Sequence, residues 1–169
     1  MKIYIPKFCL VLLIGSSGSG KSTFAKKYFT ATEIVSSDFC RGLVSDDENN
    51  QFVSGHAFDL LHFIVEKRLI LGRLTVIDAT NVQENARKEL IKIANRNNCP
   101  AAAIALNISE DICLKRDKLR KDRCVGERVI SNHIRLLKKS LDTLETEGFK
   151  YIYVFKSQEE MEDAEIVRI

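Results

Sequence analysis

The sequence is sparing with the features that mark a chain as anything other than a globular domain. Eight glycines and two prolines in 169 residues, with no low-complexity tract and no internal repeat, argue against long disorder, fibrous repeats and solenoids. The five cysteines (Cys9, Cys40, Cys99, Cys113 and Cys124) are odd in number. None lies in a CxxC pair or at metal-ligand spacing with histidine, so neither a disulfide framework nor a zinc site is indicated. Free, mostly buried thiols in a reducing cytoplasm fit that usage. No apolar run approaches the ~20 residues of a membrane span, so no membrane association is expected. Residues 2 to 18 have the outline of a secretory leader, with Lys2 and Lys7 before an apolar stretch. That stretch is short, however, and the small residues after it lead straight into Gly20-Lys21-Ser22-Thr23.

With 45% hydrophobic and 29% charged residues, the chain suits a single compact domain over residues 1 to 169. Its formal charge of +3 is unevenly spread. Between Lys115 and Lys139, ten Lys and Arg face three acids, whereas from Glu159 to the end five acids face Arg168 alone. A charge run is most often a solvated face, so the meaning of the basic stretch depends on its neighbours.

Residues 8 to 14 form a continuous apolar run, as in a strand buried on both faces of a parallel sheet. The pattern then predicts a helix over 21–29, a short strand over 33–36, and a helix over 51–71 with Gly72 as its C-cap. A strand over 74–77 ending at Asp78, a helix over 83–97 and a strand over 101–106 follow. A helix from Ser109 to about Leu119, a long helix over 127–147 closed by Gly148, and a last strand over 151–155 complete the order. Strands alternating with helices predict an α/β fold, a parallel sheet flanked by helices. Ligands of such folds sit beyond the strands' carboxyl ends.

Gly15-Ser16-Ser17-Gly18-Ser19-Gly20-Lys21-Ser22 matches G-x-x-x-x-G-K-[ST] in full, between a predicted strand and a predicted helix. Glycines let successive N–H groups surround a polyphosphate, and the helix N-terminus adds its positive end. Lys21 can reach the β and γ phosphates and the Ser22 hydroxyl can ligate Mg²⁺, so the donor is a nucleoside triphosphate, ATP first. No guanine-reading NKxD and no LSGGQ occur, which disfavours GTPase switches and ABC-type ATPases.

Asp38 lies just past the second strand, in Ser36-Ser37-Asp38-Phe39-Cys40-Arg41. A carboxylate there can take the proton of an acceptor hydroxyl, and Arg41 shares its face if the chain turns helical. Asp78 has the position of a Walker B carboxylate that serves Mg²⁺ directly or through water, and Thr80 and Asn81 stand at the rim of the crevice. The roles of Asp38 and Asp78 could be exchanged; Asp38 is preferred as the base because Asp78 follows the more central-looking strand. Gln51 and Arg87 are candidates for the acceptor groove, though each could equally be a surface helix residue; Phe39, Phe52 and His56 could stack on a terminal base, though core packing is the commoner fate of such residues. Arg116, Arg120 and Arg123, spaced by four and three, are expected on one face of a helical lid over about 115–127, where they would stabilise charge on the transferred phosphoryl group.

Together, GSSGSGKST, SSDFCRGLVSD, VIDATNVQENARKEL and KRDKLRKDR resemble the P-loop polynucleotide kinase family, which phosphorylates 5′-hydroxyl ends of RNA or DNA. The similarity extends over nearly the whole chain and is greatest to the N-terminal kinase modules of bacterial RNA repair enzymes that combine kinase, phosphatase and ligase. It implies that residues 15–23 hold ATP, with Lys21 on the phosphates and Ser22 on Mg²⁺. It further implies Asp38 as general base, Arg41 on an acceptor phosphate, lid arginines around the triphosphate, and phosphatase and ligase modules on the same polypeptide. Two rival readings remain: a kinase of a sugar, an antibiotic or adenylylsulfate, and an ATP-dependent RNA-binding switch without phosphotransfer.

Overall fold

The computed structural model describes residues 1–169. Five strands form one parallel sheet: β2 (Leu10–Ile14), β3 (Ile34–Ser36), β4 (Thr75–Asp78), β5 (Ala101–Leu106) and β6 (Tyr151–Phe155), in the order β3-β4-β2-β5-β6. The connections are helical, as parallel neighbours require: α1 (Lys21–Tyr28), α2 (Ser37–Ser45), α3 (Ser54–Ile70), α4 (Glu84–Arg96), α5 (Glu110–Leu119) and α6 (Glu127–Leu141). The chain leaves β2 towards one edge and returns from β4 to β5 on its other side. The switch point therefore lies at the carboxyl end of β2, where such sheets open a crevice.

All five residues of β2 are fully buried because helices cover both faces. Its side chains alternate between two apolar cores. Leu10, Leu12 and Ile14 pack with Leu61, Val65, Leu90 and Ala94 of α3 and α4. Val11 and Leu13 pack with Phe24 and Ala25 of α1 and with Ile130 and Ile134 of α6. β5 uses alanine at four of its six positions, so the helices approach the sheet closely at its centre. No helix is long and apolar enough to cross a membrane.

The structure departs from the sequence expectations in three places. A second parallel sheet pairs β1 (Lys2–Ile5) with β7 (Glu165–Arg168), which follows the short α7 (Gln158–Glu162). Neither strand was expected, since each is four residues long and completes its pairing only with a segment at the other end of the chain. The Tyr153 hydroxyl of β6 joins the two sheets, accepting from the Tyr4 N–H and donating to the Tyr4 carbonyl, each at 3.0 Å. The long helix expected to reach Glu147 stops at Leu141. The chain then makes a 3₁₀ turn over Leu144–Thr146 and carries the Glu147 carboxylate inward. Finally, α5 ends at Leu119, Arg120 is extended, and residues 120–126 are a loop rather than part of a helical hairpin.

Candidate active site

The Gly15–Gly20 turn follows β2, and Gly20 caps α1 with φ +96°. Gly18 has φ +79°, and a Cβ there would lie 2.6 Å from the Cys113 carbonyl oxygen, so both conformation and space require glycine. Lys21, the first residue of α1, folds back so that Nζ donates to the carbonyls of Gly15 at 3.0 Å and Ser16 at 2.7 Å. Burial brings its pKa down to about 8, against the opposing pull of Asp78. A buried ammonium held only by carbonyls is a charge awaiting an anion.

A cavity of about 990 Å³ opens in front of this turn at the carboxyl end of the sheet. Ser17, Gly18, Gly20, Lys21, Ser22 and Thr23 form its floor, while Gly15, Ser16 and Ser19 lie behind it and shape the turn. Asp38, Arg41, Gln51, Asp78, Thr80 and Asn81 form one wall, and Arg116, Arg120 and Arg123 close over it. The five cations against Asp38 and Asp78 suit a polyanion. A second cavity, of about 260 Å³, opens beside Gly20, Thr23 and Arg116 and is bounded by Tyr28, Gln158 and Met161.

Asp38 and Arg41 meet because the chain turns helical directly after β3. The Ser36 hydroxyl caps α2 by accepting from the Phe39 N–H, which puts Asp38 and Arg41 one turn apart on the same face. Arg41 Nη1 is 2.6 Å from Asp38 Oδ1, and its Nε donates to the Ser54 hydroxyl at 3.2 Å. From the lid, Arg123 Nη1 reaches the same Oδ1 at 3.0 Å and Nη2 reaches Oδ2 at 3.5 Å. One carboxylate thus holds two arginines from different elements.

The three lid arginines converge on the cavity although only Arg116 is helical. Arg116 donates to the Gly18 carbonyl at 3.1 Å and to the Gln158 side chain. Arg120 is 3.5 Å from Asp122. The loop carrying Arg120 and Arg123 is anchored by Asp117, which is buried. Its carboxylate accepts from the Cys124 thiol and from the N–H groups of Val125 and Gly126, all at 3.0 Å. Burial opposes ionisation of Asp117, yet these donors hold its pKa below the usual carboxylate value.

The residues present fit Mg²⁺ and a triphosphate. Ser22 and Asp78 face the cavity, and no group of three or more His, Cys, Asp or Glu competes as a protein-only metal cage; Mg²⁺ characteristically takes one or two protein ligands together with phosphates and water. Among the cavity residues, buried Asn81 Oδ1 and Arg123 Nε lack hydrogen-bond partners within the protein, as expected of atoms that complete a ligand site.

Arg87 is elsewhere. A candidate for the acceptor groove or a surface helix position, it is fully buried between α4 and α6, with Nε 2.7 Å and Nη2 2.5 Å from the Glu147 carboxylate and Nη1 on the Asn81 carbonyl and the Ser140 hydroxyl. It secures the loop after β4 and has no face towards the cavity. Phe39, Phe52 and His56 are exposed and do not line the cavity. The wall instead uses Phe58 and His62 of α3, and Asn132 and His133 of α6, none of which the sequence singled out. His133 Nδ1 accepts from the Ser17 N–H at 3.5 Å, and burial together with Lys21 and Arg123 lowers its pKa. Their only sequence signal was helical spacing, which core packing explains equally well.

A family model described as an AAA domain matches residues 10–144. Among solved structures, a chain of the Pnkp1/Rnl/Hen1 RNA repair complex is similar with a TM-score of 0.70 and 21% identity, over 83% of this chain and 47% of that one. This chain therefore spans about half the length of that relative. Shikimate kinase from Acinetobacter baumannii, solved with shikimate, is similar with a TM-score of 0.55 and 18% identity over 92% of this chain and 88% of that one. The Mycobacterium tuberculosis APS kinase CysC, solved with AMPPNP and APS, gives 0.52 and 16% over 83% and 99%. These likenesses establish the fold, an α/β arrangement shared with P-loop kinases.

Proposed function

Since this chain belongs to the AAA domain family, we propose that it is an ATP-dependent kinase of the 5′-hydroxyl ends of RNA or DNA. The observation that carries the reading is the Asp38 carboxylate, gripped by Arg41 and Arg123 in the wall of the cavity whose floor carries Lys21. The terminal hydroxyl takes its place beside Asp38, which accepts the proton as the new P–O bond forms and the bond to the β–γ bridging oxygen breaks, releasing ADP. Arg41, already aimed by Ser54, passes to the first phosphate of the acceptor, a forked contact that guanidinium makes well. Arg123 moves from Asp38 to the transferred group, and Arg116 and Arg120 bracket the triphosphate. Lys21 leaves the carbonyls of its own turn for the β and γ phosphates. Ser22, and Asp78 directly or through water, would hold Mg²⁺, which would neutralise charge on the phosphates. The second cavity beside Gly20 and Thr23 accommodates the donor's nucleoside. The reading includes a place in nucleic-acid end repair, with phosphatase and ligase modules on a longer cytoplasmic polypeptide; the polynucleotide kinase resemblance and an RNA repair complex among the structural neighbours support the repair role.

A small-molecule acceptor is the second reading, favoured by the neighbours solved with shikimate and APS. Labelled ATP, Mg²⁺ and a 5′-OH oligonucleotide test the choice: label on the 5′ end is the expected result, and label found only on a small alcohol would overturn the polynucleotide reading. Asp38→Ala should lower turnover by about 10² to 10⁴ while nucleotide binding persists. An ATP-driven switch without transfer would be indifferent to that change.

A further inference from the structure

α6 carries a row of cations that the phosphoryl-transfer site does not use. Arg128, Asn132, Arg135 and Lys139 are spaced by four, three and four, which sets them on one narrow stripe of the helix, and all four are exposed. With a rise of 1.5 Å per residue the stripe runs for roughly 16 Å. Asn132, in its middle, lines the main cavity and accepts from Arg135 at 2.8 Å, so the row passes the wall of the site, with Arg128 on one side of it and Arg135 and Lys139 on the other.

The α4 helix provides an internal contrast. There Lys88, Lys92 and Arg96 are exposed too, but each is paired, with Glu84, Glu89 and Glu66 respectively. No ion pair involves Arg128, Arg135 or Lys139, nor Lys115, Lys118 or Lys121 on the neighbouring lid. Glu84, whose pKa is lowered chiefly by Lys88 and in small part by Lys139, is paired with Lys88 and forms no ion pair with the stripe. The single acid within α6, Glu127, precedes the stripe at the helix N-terminus.

We propose that the Arg128–Asn132–Arg135–Lys139 stripe is a track for the phosphodiester backbone of the acceptor strand beyond its first nucleotide. The inference rests on the polynucleotide reading of the site and extends it to the part of the substrate that does not react. Its partner is single-stranded nucleic acid: the cations offer charge and forked donors to successive phosphates, and the stripe has no base-reading pattern of its own. Long acceptors gain affinity from the track, whereas an acceptor ending at one phosphate gains none.

The test compares the intact protein with an Arg128→Gln/Arg135→Gln/Lys139→Gln variant and, as control, with Lys92→Gln/Arg96→Gln. The acceptors are a 5′-OH dodecanucleotide and a nucleoside 3′-monophosphate, each assayed across a salt series. With three phosphate contacts removed at about 0.7 per contact for a single strand, the slope of log KM for the dodecamer against log salt should fall by about 2 in the triple variant. Its dodecamer KM should rise on the order of tenfold at low salt, with kcat unchanged and the monophosphate unaffected. Thermal melting of both variants checks that they fold. Equal slopes for the intact protein and the triple variant would overturn the track while leaving the kinase reading intact, and so would an equal loss in the paired-cation control. If the intact protein labels neither acceptor, the kinase reading itself falls and the track falls with it.

Discussion

At the scale of single residues, Lys21 and Asp38 share a logic: each is held by groups of the protein itself, which the substrates of the proposed reaction would replace. For Lys21 this has two pH consequences of opposite sign. Its pKa is depressed to about 8, so between there and the ordinary lysine value the unfolded chain holds a proton that the folded one has lost. The unliganded protein should therefore gain stability as pH rises through that window. A bound triphosphate restores the charge and raises the pKa, so binding takes up a proton. Nucleotide affinity should be full below about pH 8 and then fall, by up to about tenfold per unit, until the bound-state pKa is passed. Calorimetric titrations in two buffers of different ionisation heat, at pH 7 and 9, read both the affinity and the proton uptake. A flat affinity would show that Lys21 keeps its proton without the ligand. Lys21 and the Asp38–Arg41 pair were legible in the sequence because each depends on spacing within a few residues of a strand end. The second grip on Asp38 was not, since Arg123 stands 85 positions away.

At the scale of elements, the lid and the α4–α6 junction are each built around a buried carboxylate. The sequence grouped three arginines and assigned them all to a helical lid; all three line the main cavity, but only Arg116 is helical. A loop can present Arg120 and Arg123 because Asp117 fixes it from within. Asp117→Ala should leave two N–H groups and a thiol without their acceptor, cost about 1–3 kcal/mol, and lower the melting temperature by several degrees. Trypsin should then cut more readily at Arg120, Lys121 and Arg123, and turnover should fall more than nucleotide affinity. Unchanged cleavage would mean that the loop is held by something else. Because the Asp117 pKa is depressed, the anchor should also weaken as pH drops below the ordinary Asp value. At the other junction, Glu147→Gln would leave the fully buried Arg87 without its counter-charge. Losses of about 3–5 kcal/mol, or roughly 10 °C in melting temperature, are expected. The sequence leaves Arg87 open between an acceptor contact and a surface helix position, and it is neither, because helical spacing shows only which residues share a face. What lies against that face depends on Glu147, sixty residues later.

At the scale of the whole molecule, the alternation of strands and helices was enough to anticipate a parallel sheet with its crevice at β2, because burial on both faces leaves a continuous apolar run in the sequence. The β1–β7 sheet had no such signature, yet it ties the first strand of the chain to the last. Lys7 N–H donates to the Ile169 carbonyl at 2.9 Å, and Glu165 N–H to the Met1 carbonyl at 3.0 Å. Because the strands are parallel, Met1 and Ile169 lie at opposite ends of one four-residue pair, a gap of roughly 16 Å at about 3.3 Å per residue. A flexible linker of about eight residues spans that gap. Joining residue 169 of this domain to residue 1 through such a linker and cutting the exposed turn at Gly72–Arg73 should yield a circular permutant of residues 1–169 that melts in one transition with its nucleotide site intact. Within residues 1–169 the β1–β7 pairing closes the fold on itself, so where the backbone of this domain is opened matters less than that these two strands stay side by side.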